Sequence, residues 1–389
     1  MNQRTSYILT VNTGSSSLKA AVYPWELGAP VLHVDASRLG AGDATLLIDG
    51  VRVVRPSPMT DHKDATAVLL EQLRERSFVV SAVGHRLVHG GPTLAAPVLL
   101  NNDVRAELLA AVPLAPLHLP QALAAIDCIS QAFPDLPQIA CFDTAFHATM
   151  PAHARTFALP YELGQMGIRR YGFHGLSYEY IVQKLRALDP ASVGGRAVVL
   201  HLGNGASMAA LLRGESMDTT MGFTPTGGIV MGTRSGDLDP GVLVHLLSRG
   251  VVKNADELSV MLTKKSGLLG ISGVSSDMRD LLARGKDPRA RLAVEIFTYQ
   301  AKKQLGAYAA ALSGLDTVVF TGGIGEHGKE IREEICAGLS FLGIDLDHAA
   351  NAKNAPVVSA KDARVTVRVI STDEDAMIAS HTARLLRKP

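Results

Sequence analysis

The sequence predicts an α/β protein of two related lobes, and three features predict it. The first is Tyr7–Tyr23, YILTVNTGSSSLKAAVY, where two runs rich in β-formers, Tyr7–Val11 and Leu18–Tyr23, flank a turn of Gly14, Ser15, Ser16 and Ser17. The second is the return of that pattern half a chain later. Ala197–Arg213 reads AVVLHLGNGASMAALLR, and setting Ile8 on Val198 puts Gly14 on Asn204, Ser15 on Gly205 and Ser17 on Ser207. The third is a pair of apolar strands, Phe78–Gly84 and Thr317–Thr321. Each runs into a glycine-containing polar cluster, where open α/β sheets place ligand groups.

An ordinary hairpin turn needs one or two polar residues. A glycine followed by three serines gives a loop crowded with hydroxyls and unhindered backbone N–H groups, which suits the many acceptors of a phosphate. Asn12 and Lys19 add an amide and a cation on either side. One such loop reads equally well as a serine-rich surface hairpin. Two of them, half a chain apart, predict two lobes facing a nucleotide cleft.

The chain has 389 residues, 47% hydrophobic and 19% charged, with a net charge of +1. That length suits two or three domains with sizeable cores. Balanced charge without a long basic run argues against nucleic acid as a partner. No apolar run is long enough to span a bilayer, and the N-terminal apolar segment is too short for a signal peptide, so a cytoplasmic protein is expected. Cys128, Cys141 and Cys336 have no paired spacing, which argues against a disulfide framework or a zinc site.

Residues 24–60 read as strands joined by Gly/Asp turns. Val68, Leu69 and Leu73 give Asp61–Arg76 helical spacing, with Asp61 as N-cap. Phe78–Gly84 then meets His85-Arg86-Leu87-Val88-His89-Gly90-Gly91. His85 and His89 would form a metal pair only on a helix, which the two glycines disfavour. Arg86 as an anion binder is the better reading, beside a structural ion pair. Helices are predicted over Val104–Val112 and Gln121–Phe133, around a stiff loop of three prolines. Strand Gln138–Phe142 ends at Asp143, which would position magnesium or a nucleophile, or simply cap a turn. The first lobe ends near Pro151.

The second lobe carries RRYGFHG, Arg169–Gly175. After the repeated hairpin, Thr220–Pro240 holds five glycines and two prolines, which excludes a regular element. A loop of that length in a compact domain is usually functional, and Arg234 among its glycines points to an anion clamp. Helical patterns follow over Pro240–Leu247, Asp256–Lys264 and Arg289–Leu312. Thr317–Thr321 leads through Gly322-Gly323-Ile324-Gly325-Glu326-His327-Gly328-Lys329 into a helix ending at Leu339. Gly323, Gly325 and Gly328 fit G-x-G-x-x-G with Asp345 downstream, and nearly fit the phosphate loop, but Glu330 replaces its hydroxyl. Too little chain remains for a dinucleotide half-domain, so the expectation is a helix N-terminus that receives a nucleotide. Strand Val365–Ile370 meets a final helix, with Asp373 and Asp375 as its N-terminal charges.

Ten blocks then occur in the order and spacing of one family: VNTGSSSLK, GHRLVHGG, APLH, FDTAFH, RRYGFHG, HLGNGAS, MGFTP with MGTRSGDLDP, SGLLGISG, FTGGIGEH and STDEDAMIA. Across nearly its whole length the chain resembles the acetate kinases. The resemblance implies the ribonuclease H-like fold of actin, heat-shock chaperones and acetate and sugar kinases: α/β, two duplicated lobes with mixed β-sheets flanked by helices. It implies an N-terminal lobe of residues 1–150 completed by a C-terminal helix at 375–389. A C-terminal lobe of 151–374 would carry the nucleotide pocket and a dimer interface. The implied reaction is reversible, magnesium-dependent transfer of a phosphoryl group from ATP to acetate, in line and direct, giving acetyl phosphate and ADP. Manganese would substitute for magnesium, and the enzyme would be a homodimer.

Residue by residue, the resemblance implies catalytic roles for Arg86, Asp143, His174 and Arg234, and magnesium-linked roles for Asn12 and Glu374. It implies nucleotide contacts from Ser15, Ser17, Lys19, His201, Leu202, Gly203, Asn204, Gly205, Asp277, Met278, Arg279, Gly323, Ile324, Gly325 and His327. His118 and His201 match two further active-site histidines. Val88, Leu117, Phe173 and Pro225 match the apolar acetate pocket, with Arg86 on the carboxylate. Departures from the family pattern are Leu119 and His327 where asparagine is usual, Tyr178 for a common histidine, and Thr226-Gly227 for Leu-Glu. They bear on nucleotide preference and substrate detail, not on reaction class. Three other readings stay open: a kinase for propionate or another short-chain acid, a NAD-dependent dehydrogenase, and a non-catalytic nucleotide-binding module. The pair Arg86 and Arg234 argues against the last.

Overall fold

β1 (Tyr7–Thr13) and β2 (Ser17–Pro24) form the first hairpin, and β1 is buried along both faces, as a central strand must be. The computed structural model describes residues 6–40, 42–54, 59–116 and 118–387. β3 (Leu32–Ser37), β4 (Thr45–Ile48) and β5 (Val51–Val53) continue the sheet antiparallel beyond β2. On the other side of β1, β6 (Val80–Leu87) runs parallel to it, and beyond β6 lies β8 (Gln138–Phe142), also parallel, edged by the short β7 (Val98–Leu99). The order is β5-β4-β3-β2-β1-β6-β8-β7. Helices His62–Glu75 and Leu119–Ala132 make the crossovers. Asp61 caps the first by accepting from the Lys63 and Asp64 amides.

Phe78–Gly84 was expected to end where the His-Arg cluster begins, but β6 runs on through Leu87. Arg86 pairs with Asn12 on one edge and Cys141 on the other, and pairing on both edges keeps the segment extended despite its polar residues. His85 and Arg86 therefore point to opposite faces. His85 binds Gln138 within the core, its Nε2 2.6 Å from Oε1.

The second sheet repeats the plan. β9 (Arg196–Leu202), β10 (Ala206–Leu212) and β11 (Glu215–Thr219) are antiparallel, while β12 (Thr317–Thr321) and β13 (Thr366–Val369) run parallel to β9. The order is β11-β10-β9-β12-β13. The sequence offset that set Ile8 on Val198 is one residue out. The first turn closes at Thr13 with Leu18, around Gly14–Ser17; the second closes at Leu202 with Ala206, around Gly203–Gly205. Matching the closing pairs sets Asn12 on His201, not on Leu202. A one-residue slip exchanges the faces of a strand, so only this register puts the polar side chains on matching faces.

Helix Pro288–Ala311 backs the second sheet with Ala293, Phe297, Ala301, Leu305 and Tyr308 buried at helical spacing. The sequence predicts that Gly322–Lys329 leads into one helix ending at Leu339; Gly322–His327 is itself helical and is followed by a second helix, Lys329–Cys336. Glu326 Oε1 accepts from the Gly322 amide at 3.0 Å, and buried Arg332 takes the Gly325 and Glu326 carbonyls, so both helix ends are satisfied. Thr220–Asp239 has no regular element.

The chain divides into two units. Residues through Phe146, with Gly175–Tyr180 and residues from Asp373 on, make the first; His147–His174 and Ile181–Thr372 make the second. The final helix, Glu374–Leu386, joins the first unit by packing Met377 and Ile378 against Ile139, Cys141 and Leu176. Among the described residues no helix is long and apolar enough to cross a membrane.

Candidate active site

Asn12 and Arg86 are register partners near the C-terminal ends of β1 and β6, and Asp143 directly follows β8. Parallel strands that end together thus bring three polar side chains to one edge. Arg86 Nε and Nη2 donate to Asp143 Oδ1 and Oδ2 at 2.8 and 2.7 Å. Its Nη1 donates to Asn12 Oδ1 at 2.9 Å and lies 3.4 Å from Glu374 Oε2, to which Asn12 Nδ2 donates at 3.1 Å. Burial works against the guanidinium charge, but Asp143 and then Glu374 outweigh it and raise the arginine above its ordinary value. The result is a fixed cation with one nitrogen shared by an amide and a second carboxylate.

Asp373 caps the last helix by accepting from the Ala376 amide at 2.8 Å, as its position suggested. Asp375 is no simple helix charge: it accepts from Thr10 Oγ1 at 3.2 Å. Burial, then Glu374 and Asp373, push it up to about 6.

In the second unit His174 has a left-handed backbone, φ 59°. Its Nδ1 lies 2.8 Å from Ser207 Oγ, and its ring stacks on His201 with centroids 4.3 Å apart. A Cβ on Gly205 would lie 3.4 Å from His174 Nε2 and 3.6 Å from Arg234 Nη1. The turn of the second hairpin therefore has an imidazole edge and a guanidinium on the same side. Arg234 Nη1 also donates to the Pro225 carbonyl at 2.9 Å, which ties the cation to its own glycine-rich loop.

Beside that turn is a cavity of about 750 Å³, within the range of small-ligand sites. It is lined by Gly203 and Asn204, by Ser276–Arg279, and by Gly323, Ile324, His327 and Glu330. Asp277 caps the helix Met278–Ala283 and accepts from Arg279 Nε and Nη2 at 3.1 and 2.6 Å. The Arg279 hydrogen bonds hold the Asp277 carboxyl below the usual range.

The sequence profile of the acetokinase family matches residues 7–380. The chain belongs to the acetokinase family. An acetate kinase of Rhodopseudomonas palustris is 47% identical over 392 aligned residues, which cover 97% of this chain and 98% of the relative. One from Thermoanaerobacterium thermosaccharolyticum is 42% identical, covering 97% and 98%. Among solved structures, the acetate kinase of Porphyromonas gingivalis is similar with a TM-score of 0.88 at 39% identity, covering 98% of this chain and 100% of that one. A propionate kinase from Francisella tularensis is similar at 0.92 and 38%, covering 97% and 99%. The mixed α/β fold with two helix-flanked sheets is therefore the one these acyl kinases share.

The acetokinase-type residues fall into separate groups. Asn12, Arg86, Asp143 and Glu374 meet in the first unit; His174, His201 and Arg234 meet in the second. Of the remaining nucleotide positions, Gly203, Asn204, Asp277, Met278, Arg279, Gly323, Ile324 and His327 line the cavity. Leu202 is buried within β9, and Gly325 packs towards Phe320 and Leu200. Ser15 is exposed, Ser17 Oγ turns back to Gly14, and Lys19 pairs with Asp35 at 3.8 Å. His118 sits at the N-cap of Leu119–Ala132. Val88 and Phe173 are buried and Pro225 is half-buried, while Leu117 lies outside the described residues. Sequence reasoning gave Ser207 no role beyond its alignment and gave His147 none at all.

Proposed function

We propose that this chain is an ATP:acetate phosphotransferase that forms acetyl phosphate and ADP reversibly, by direct in-line transfer. The observation that carries this reading is a family match running from Tyr7 into the final helix, with relatives named acetate kinase aligned over nearly their full length. A carboxylate acceptor needs no general base. It needs its charge offset as it meets an anionic phosphoryl group, and the loose transition state spreads charge over equatorial oxygens. Arg86, preset by Asp143, supplies the cation for the acceptor carboxylate. With its Nδ1 on the Ser207 hydroxyl and its Nε2 beside Gly205, His174 donates from Nε2 to a phosphoryl oxygen, while Arg234 offsets the developing charge. The cavity beside Asn204 takes the nucleoside.

Glu374 offers hard carboxylate oxygens, which fits magnesium, an ion that keeps much of its shell for water and phosphate oxygens. Both Asp143 oxygens and the one Asn12 side-chain oxygen accept from Arg86, so Glu374 is the residue that would hold the ion, with Asn12 hydrogen-bonded beside it. When bound, magnesium supplies neutralisation of phosphate charge. The same reading carries a cytoplasmic homodimer. Helix Pro240–Ser248, apolar at Val242, Val244 and Leu247 with none of its residues buried, suits a second copy of the chain.

The test is hydroxylamine trapping of acyl phosphate with ATP, magnesium and acetate. Acetyl hydroxamate that needs all three supports the reading, and none above background overturns it. The similarity to a propionate kinase supports a second reading with propionate as the preferred acid, which the same assay decides.

A further inference from the structure

His147 is 2% exposed and bonded at both ring nitrogens. Its Nε2 lies 3.0 Å from the Phe173 carbonyl oxygen, and its Nδ1 lies 2.8 Å from Ser216 Oγ. A carbonyl only accepts, so Nε2 carries the hydrogen and donates it. In the neutral ring Nδ1 then accepts from the Ser216 hydroxyl. Burial pushes the His147 pKa down to about 4, which keeps the ring neutral.

The segment that His147 holds leads straight into His174. Gly172 has φ 75°, and a Cβ there would lie 2.5 Å from the His147 ring, so the imidazole fills the space a side chain would take. The Tyr171 amide donates to the Gly222 carbonyl at 3.0 Å, anchoring the segment to the glycine-rich loop. The Phe173 carbonyl belongs to the same peptide plane as the His174 amide, so fixing one fixes the other. His174 follows at φ 59°, a conformation that a residue with a Cβ keeps only when its surroundings hold it there.

We propose that His147 is a positioning residue for His174: its Nε2–H bond to Phe173 fixes the peptide that sets the left-handed turn and the aim of the His174 imidazole. The inference rests on the proposed role of His174 at the phosphoryl group. His147 acts through the Phe173 backbone.

The experiment compares His147→Ala, His147→Gln, Ser216→Ala and His174→Ala by kcat, by KM for ATP and acetate, and by Tm. His147→Ala is expected to lose about 10²-fold in kcat, the effect of a misplaced catalytic group, with KM for ATP unchanged. His147→Gln, whose amide nitrogen reaches the Nε2 position, should recover much of that loss. A histidine that only fills the core would lower Tm and leave the kcat of the folded enzyme intact, and that result overturns the inference. If His147→Ala does not fold, Ser216→Ala and ¹⁵N spectra of the wild-type imidazole decide. Reduced kcat in Ser216→Ala, with the hydrogen of His147 on Nε2, supports the inference; unaltered kcat, or the hydrogen on Nδ1, overturns it. His174→Ala separates the two levels of the argument. Full turnover there refutes the role of His174 itself, whereas an inactive His174→Ala beside fully active His147 variants refutes the positioning alone.

Discussion

Arg86 and Asp143 form a two-pronged ion pair at 2.8 and 2.7 Å, and the carboxylate is only 1% exposed. A buried pair of this kind adds little net stability, because desolvation of both charges offsets their attraction. Its value is orientation: with two nitrogens fixed, the guanidinium plane is fixed. Both Asp143 oxygens accept from Arg86, which makes the carboxylate the holder of the arginine.

The pair predicts unequal effects for its two members. Arg86→Ala should lower kcat about 10³-fold, the range for arginines at phosphoryl transfer, and leave ATP affinity nearly unchanged. Arg86→Lys should not restore it, because one ammonium cannot reproduce the fork. Asp143→Ala leaves a buried cation without its main partner, and should lower stability by roughly 3–5 kcal/mol as well as kcat. Denaturant unfolding beside steady-state kinetics checks both. A stable Asp143→Ala with normal turnover would show that Arg86 needs no holder.

Glu374 is the proposed metal-linked carboxylate, and Asp373, not Glu374, caps the final helix. Glu374→Ala should therefore raise the magnesium concentration for half-maximal turnover and lower kcat, with circular dichroism unchanged. A wild-type magnesium titration in this variant would reduce Glu374 to a spacer between Asn12 and Arg86.

Acid stability follows from His85. Burial holds it at about 4 against an unfolded value of 6.5, so the folded chain refuses a proton that the unfolded chain takes up between those values. Unfolding is then favoured by protons, and stability falls as pH drops from 6.5 towards 4. The loss from His85 is on the order of 3 kcal/mol, at about 1.4 kcal/mol per pKa unit. His147 adds to it, while Asp375, raised to about 6, acts in the opposite sense below that pH. Urea midpoints of wild type and His85→Asn across this window isolate the histidine, since only the difference in slope matters. Parallel curves would mean that His85 takes its proton in the folded protein.

Much of the fold was legible in the sequence because its signals are local. The strand Thr317–Thr321, the Asp61 cap and the irregular Thr220–Asp239 loop each follow from residues within reach of one another. The misread parts depend on distant partners. β6 outruns Gly84 because β1 and β8 pair with it on both sides, and Gly322–His327 is helical because Arg332 closes its far end. The repeat was placed one residue out because the two turns differ in length, which composition does not reveal. The site was legible as residue types and not as partners: Arg86 meets Asp143 across 57 positions, and Asn12 meets Glu374 across 362. His147 gave no signal because a buried histidine and a working one look alike until the Phe173 carbonyl is in place.

Substrate size is the last prediction. The fold does not choose between acetate and propionate, since an acetate kinase and a propionate kinase both match this chain at high TM-score. We propose that the choice lies with small apolar residues, among them Val88, buried just beyond the strand that carries Arg86. An apolar pocket separates homologues by only about 1–3 kcal/mol per methylene. Propionate should therefore be used with kcat/KM about 10- to 200-fold below acetate, and butyrate less well again. Formate lacks the methyl group but keeps the carboxylate proposed to meet Arg86, so its deficit should fall mainly in KM. Val88→Ala removes two methyl carbons and should narrow the gap between acetate and propionate, by admitting the larger acid more than by rejecting the smaller. Competition between the two acids in one hydroxylamine assay reads this ratio directly. A wild-type enzyme that prefers propionate would mean a roomier pocket around the methyl group, with Arg86, His174 and Arg234 keeping the same tasks on a longer acid.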